Sequence, residues 1–275
     1  LVRRLWNSMF LGGCVLAALT VMVPLGSIVW HLLVQGLPAL NLDFFFHMPK
    51  PVGELGGGMA NAIVGTLILI ALGALIAVPT GIGAGLYLAE YGHGRFATAV
   101  RYACDLLAGV PSIVVGVAAY GLVVIPMGRF SALAGGVALS ILMLPTIVRS
   151  TEEVVRLVPR SYREAALALG APRWKVIQQV VLPAASAGVI TATLLAVARA
   201  AGETAPLLFT ALGNRFWSLA IDRPMASLPV MIFDYARAPY NDWNRQAWSG
   251  ALVLLALVTV LSALVRAATR ATSRR

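Results

Sequence analysis

The sequence predicts an all-α polytopic membrane protein with about six transmembrane helices. Three observations predict it. Hydrophobic residues make up 59% of the 275 positions and charged residues only 12%, with a mean hydropathy of +0.85; a soluble domain carries about 25% charged residues. Apolar runs recur at the length that crosses a bilayer, roughly 20 residues. The basic residues alternate between dense and sparse segments along the chain, as the positive-inside rule requires.

The first run, Phe10–Val34, follows Arg3 and Arg4. It is too long for a signal-peptide core of about 7–15 residues and lacks a clean small-x-small site, so it reads as a retained helix. The second span is expected near 61–88, the third near 102–125, the fourth near 131–149, the fifth near 186–209 and the sixth near 247–267. The fourth is the weakest, being short and rich in Gly and Ala. Two connections exceed simple turns. The inner one, Ser150–Pro183, is charged and helix-forming; the outer one, Leu212–Gln246, is rich in Trp, Tyr and Pro, which suits a membrane interface. The chain thus divides into an N-terminal helix and extracytoplasmic loop (1–60), a five-helix transmembrane domain (61–266) and a basic tail (267–275).

With the N-terminus placed in the cytoplasm, the inner segments hold fourteen of the 21 Lys and Arg residues and the outer segments six. The C-terminus is then cytoplasmic as well. The net charge of +10 is therefore a topology signal and a fit to anionic membrane lipid, and it does not point to nucleic acid. Cys14 and Cys104 sit far apart in or beside apolar runs, and His31, His47 and His93 are scattered, so no metal site or disulfide framework is expected.

The remaining basic residue, Arg199, lies inside the fifth span. Glu203 follows four residues later, so a continuous helix would put both on one face. A charge at a helix centre costs roughly 2.5–3.5 kcal/mol on insertion scales. The pair either serves a transport pathway or forms a structural ion pair between spans. Thr204 adds a hydroxyl that either joins the site or bonds the backbone. Gly202 and Pro206 weaken the helix there and free backbone groups toward a cavity. Asp105 either belongs to an inner gate or pairs with Arg101 at i,i+4. Gly109, Pro111 and Ser112 mark a kinked segment, as a hinge or as a packing device.

Within the inner connection, Glu164, Ala165 and Ala166 begin a short helix of strong formers, and Gly170 ends it. Pro172 opens a second helix, and Leu182-Pro183 leads into the fifth span. The product is a helix–Gly–helix elbow. Its spacing, Glu-Ala-Ala, three residues, Gly, nine residues, aliphatic, one residue, Leu-Pro, resembles the EAA loop of ABC importer permeases, with Val180 at the place where Ile is commoner. The stretches Ala201–Leu212 (AGETAPLLFTAL), Leu107–Gly116 (LAGVPSIVVG) and Leu228–Phe233 (LPVMIF) resemble the permease subunits of phosphate-specific ABC importers, the PstA type. The likeness runs from about Asn61 to Arg266.

The resemblance implies a type I ABC importer permease fold in the inner membrane of a prokaryote. It implies that Glu164, Ala165, Ala166, Gly170, Leu182 and Pro183 form the element coupled to an ATPase. It implies inorganic phosphate as the substrate, with Arg199, Glu203 and Thr204 on its pathway. An Arg fork can hold phosphate in two-point contact. Glu203 then either holds Arg199 in the empty state or accepts a hydrogen bond from a protonated phosphate, selecting against sulfate. Asp105, Gly109, Pro111, Ser112, Gly202 and Pro206 are the gate or hinge candidates. The only lysines are Lys50 and Lys175, neither after a Gly, so no G-x-x-x-x-G-K-[ST] phosphate loop exists. No cofactor is expected on this chain; ATP and Mg belong to a partner. The implied partners are a PstC-type sister permease in a heterodimer, a PstB-type ATPase dimer and a PstS-type phosphate-binding protein. The alternatives are the sister PstC-type permease itself, a permease for another oxyanion or an amino acid, an ion-coupled transporter working without an ATPase, and a membrane scaffold or sensor.

Overall fold

In the computed structural model, residues 2–54 and 56–272 are described, and all regular structure among them is helical. The helices are α1 (Val2–Gly36), α2 (Leu42–Phe46), α3 (Ala60–Glu90), α4 (Gly94–Gly109), α5 (Ser112–Met127), α6 (Ala132–Arg156), α7 (Arg160–Ala168), α8 (Arg173–Ala201), α9 (Ala205–Leu208), α10 (Leu228–Arg237) and α11 (Asn241–Thr272). Five are long and apolar enough to cross a membrane: α1, α3, α6, α8 and α11. A sixth span arises if α4 and α5 are taken together.

That pair corrects the single third span expected near 102–125. α4 and α5 meet at 108°. Pro111 explains the break, because its ring drives the preceding residue out of helical geometry; Val110 has ψ +132°. Two other prolines act differently. A π-helical turn at Tyr120–Val124 precedes Pro126, and another at Ile177–Val181 precedes Pro183. Proline cannot donate to the carbonyl four residues back and its ring crowds that carbonyl. A widened turn relieves the crowding without ending the helix.

The core is the seam between α3 and α6. The fourth span, expected to be the weakest, is the most enclosed, with 61% of its apolar window buried against 39% for α3. Its small residues are the cause. Bilayer helices have no hydrophobic drive to associate and rely on close contact between small side chains. A Cβ added to Gly85 would stand 2.6 Å from the Cβ of Thr151, and one on Gly81 would stand 2.7 Å from Ile147 Cγ2. Leu69, Leu139, Met143 and Ile147 fill the same seam. By contrast α1 stands outside the bundle with none of its apolar window buried. It is held at its C-terminal end, where Ser249 Oγ of α11 donates to Gly36 O at 2.7 Å.

The long outer connection contains a helix of its own, α10, and α11 begins at Asn241, six residues before the expected start. Of the basic tail at 267–275, residues 267–272 continue α11, and 273–275, including Arg274 and Arg275, lie outside the described residues.

Candidate functional site

α8 stops at Ala201, and this changes the geometry expected of the intramembrane charges. Gly202 caps the helix, its N–H bonding Arg199 O at 3.2 Å, and Glu203 N–H bonds Ala200 O at 3.2 Å. Glu203 therefore lies beyond the helix end. Thr204 precedes α9, where Pro206 occupies the first turn, a position proline favours. Arg199 and Glu203 consequently do not share a helical face. Among the described residues, neither side chain is in an ion pair or hydrogen bond, and the Thr204 hydroxyl has no hydrogen-bond partner either. Arg199 is exposed on the isolated subunit; Glu203 and Thr204 are half-buried.

Arg199 does share a face with Gly188, Ala192 and Leu195 of α8, at i, i+4, i+7 and i+11. Those three residues line a groove of about 560 Å³ whose other wall is Thr146, Ser150 and Glu153 of α6. That wall carries the hydroxyls of Thr146 and Ser150 and, at the Gly188 end, the Glu153 carboxylate; Arg199 does not line the groove but lies one turn beyond Leu195 on the same face of α8, at the opposite end. Gly188 permits the two helices to approach, since a Cβ there would stand 2.5 Å from Val154 Cγ1.

The bend of α4–α5 is brought to the same region. A Cβ on Gly116 would stand 2.7 Å from Pro206 Cα, so α5 crosses directly over α9. Two of the sequence stretches singled out above, Leu107–Gly116 and Ala201–Leu212, are thus in contact. Gly109 and Pro111 remain exposed and Ser112 is half-buried.

The expected pairing of Asp105 with Arg101 is not made. Asp105 forms an ion pair with Arg149, Nε to Oδ1 at 3.1 Å, and Arg101 Nε reaches Glu152 at 2.7 Å. Glu152 is the missed residue. It is 1% exposed and is held by three arginines, with Arg149 at 3.2 Å and Arg156 at 2.6 Å. Arg101 also donates to Leu88 O and Gly92 O at the end of α3. Arg149, Glu152 and Arg156 lie within two turns of one helix, a signal present in the sequence. The recruitment of Arg101 from 51 residues away was not.

The elbow forms as its sequence implies. α7 ends in a Gly170 with φ +79°, and Ala171 N–H reaches back to Ala166 O at 3.2 Å. Its first turn begins earlier than expected, at Arg160. Arg163 fixes it to the bundle. That guanidinium bonds Glu90 Oε1 at 2.6 and 3.0 Å, and donates to Val158 O at 2.6 Å and Val155 O at 3.0 Å. Glu164, Ala165, Leu169 and Trp174 face outward, with Leu169 at 89% exposure. Leu182 is half-buried and Pro183 exposed, just past the π-helical turn of α8.

An all-helical bundle of membrane-length helices with an outward-facing elbow is the architecture expected of a transport permease. The family model described as "Binding-protein-dependent transport system inner membrane component" matches residues 81–275. The chain is 45% identical over 256 residues to a Yersinia pestis protein described as phosphate transport system permease protein PstA, covering 92% of this chain and 87% of that one. It is 47% identical over 267 residues to a Xylella fastidiosa protein of the same description, covering 96% and 93%. The fold is similar to a chain in the inward-facing MetNI methionine ABC transporter, with a TM-score of 0.59 at 19% identity, covering 78% of this chain and 96% of that one. The chain belongs to the PstA family of phosphate transport system permeases.

Proposed function

We propose that this chain is a permease subunit of an ATP-driven phosphate importer in the inner membrane of a prokaryote, forming half of the translocation pathway. The observation that carries the coupling role is the elbow: its apolar outer surface is exposed at Leu169 and Trp174, while Arg163 ties its inner side to Glu90. Such a surface suits the groove of an ATPase subunit. The descriptions of the relatives support phosphate as the substrate.

In this reading the elbow, with Glu164, Ala165, Ala166, Gly170, Leu182 and Pro183, passes nucleotide-driven motion into α8. Arg199 meets phosphate from the α8 face of the groove. Glu203 and Thr204, just past the helix end, contact the same anion, and Glu203 accepts a hydrogen bond from a protonated oxygen. The α4–α5 bend, with Asp105, Gly109, Pro111 and Ser112, together with Gly202 and Pro206, forms the gate. The elbow end of the bundle and both termini are cytoplasmic. The chain is non-catalytic and binds no cofactor. ATP and Mg reside on a PstB-type ATPase dimer, the other half of the pathway is a PstC-type permease, and a PstS-type protein delivers phosphate. The deciding experiment is phosphate uptake by vesicles holding the four components, with and without this chain and with and without ATP. Uptake that persists without the ATPase would refute the reading.

A further inference from the structure

Hydroxyls on membrane helices can donate to a carbonyl one turn back, which spares the hydrocarbon an open polar group. Thr66, Thr191, Thr193 and Thr259 do so here, each to the residue four back at 2.7–2.9 Å. Thr146 and Ser150 of α6 do not. Among the described residues neither hydroxyl has a hydrogen-bond partner. Nor is either oxygen enclosed, as the unpartnered Oγ1 of the adjacent Thr151 is. Both side chains line the groove between α6 and α8.

Their depth excludes lipid as the neighbour. α6 runs from Ala132 to Arg156, so Thr146 lies fourteen residues from one end and ten from the other, about 21 and 15 Å along the axis. Hydrocarbon at that depth would leave an open hydroxyl unsatisfied. Glu153 adds an independent sign of water. Its carboxylate lines the same groove and is exposed. The arginines one turn away on either side, Arg149 and Arg156, both turn to Glu152 instead. Among the described residues Glu153 has no ion pair. Open hydroxyls and an open carboxylate along one groove fit an aqueous path.

The same groove leads away from Arg199. α6 and α8 run in opposite directions: Gly188 packs on Val154, whereas Gly135, near the start of α6, packs on Leu207 and Ala211 beyond the end of α8. Counted from the Gly188–Val154 contact at equal rise, Ser150 comes level with Ala192 and Thr146 with Ala196. Thr146 is then about 4.5 Å from the level of Arg199, on the elbow side, and Ser150 about 6 Å further. The two hydroxyls stand in series. Each can donate to an anion's oxygen and accept from a protonated one. Being uncharged, they hold an anion weakly enough to release it, as conduction requires.

We infer that Thr146 and Ser150 contact the substrate, as relay hydroxyls that pass phosphate along the α6–α8 groove from Arg199 toward the elbow end. The inference rests on the proposed function, which makes phosphate the substrate and Arg199 a residue of its pathway.

The test has two arms, both on the complete importer. In lipid nanodiscs, Thr146→Cys and Ser150→Cys are treated with a negatively charged methanethiosulfonate, and labelling of this chain is read by peptide mass spectrometry. Both positions are expected to react roughly tenfold faster than Leu16→Cys on the apolar α1, because a charged reagent does not enter hydrocarbon. In vesicles, the double variant Thr146→Val/Ser150→Ala is expected to lower the maximal rate of ATP-driven phosphate uptake several-fold with little change in KM, since the hydroxyls act after capture. Its thermal midpoint should not fall, and Thr146→Ser/Ser150→Thr should recover most of the rate. Labelling no faster than at Leu16→Cys would place the groove against lipid or a sister helix and overturn the relay. Full uptake in the double variant would also overturn it. So would a loss that Thr146→Ser/Ser150→Thr shares, which would assign packing rather than hydrogen bonding. Absence of ATP-driven uptake in the unmutated complex, with fast labelling at both positions, would instead refute the importer reading and leave an aqueous groove for another solute.

Discussion

Gly116 and Pro206 meet with no room for a side chain between them: a Cβ on Gly116 would stand 2.7 Å from Pro206 Cα and 3.4 Å from Ala205 O. The obstacle is backbone, which cannot swing aside as a long side chain can. Overpacking of this kind costs about 1–3 kcal/mol. Gly116→Ala is expected to lower the thermal midpoint of the purified complex and to slow phosphate uptake. Unchanged values for both would show that α5 and α9 are not in contact in the working protein.

Glu152 is expected to be indispensable to folding. It is 1% exposed and forms ion pairs with three guanidinium groups. Removing one partner of a buried pair costs about 3–5 kcal/mol, so Glu152→Ala should abolish recovery of folded complex. Arg156→Gln removes a partner that is 54% exposed and should cost under about 1 kcal/mol. Complex yield and thermal midpoint for the two variants test the ranking, and the reverse order would refute it.

Arg199→Ala is expected to abolish phosphate uptake in a complex that still assembles. Since no ion pair joins Arg199 to Glu203, the two should be independent in stability. A double-mutant cycle on Arg199→Ala and Glu203→Gln should return a coupling within about 0.5 kcal/mol of zero, as for non-interacting sites. A coupling above about 1 kcal/mol, or normal uptake by Arg199→Ala, would place the two residues in a structural pair.

At the elbow, Gly170→Val forces a branched side chain into φ +79°, a conformation that costs an L-residue roughly 1–2 kcal/mol. Arg163→Gln removes the tie to Glu90 without touching the outer face. Both variants are expected to leave ATP hydrolysis running while uptake per ATP falls several-fold. The measurement is the ratio of phosphate transported to ATP consumed in vesicles, and an unchanged ratio in both would reject the elbow as the coupling element.

The sequence carried the helix runs and the elbow because both depend on local chemistry: span length, Gly at a left-handed cap, Pro at a first turn. It misled where tertiary contact decides. Gly and Ala in the fourth span lowered its apparent strength, yet they allow α6 to approach α3 at Gly81 and Gly85. The i,i+4 spacing of Arg199 and Glu203 suggested a shared face, but the helix ends at Gly202 between them, and the next one starts only at Ala205, beyond Glu203. The Glu90–Arg163 link spans 73 residues, and no local pattern announces it.

The Arg163–Glu90 tie has a mechanical consequence. The elbow does not hang only from the chain on either side of it; it is clamped to the end of α3, and α3 is locked to α6 along the glycine seam. Load applied to the elbow is therefore shared by a stiff three-helix frame. The interruptions of regular helix lie elsewhere, in the 108° corner at Pro111 and in the widened turns before Pro126 and Pro183. Displacement at one face of the membrane would thus arrive at the other as a tilt of the frame against that corner, with the α5–α9 crossing at Gly116 as its fulcrum.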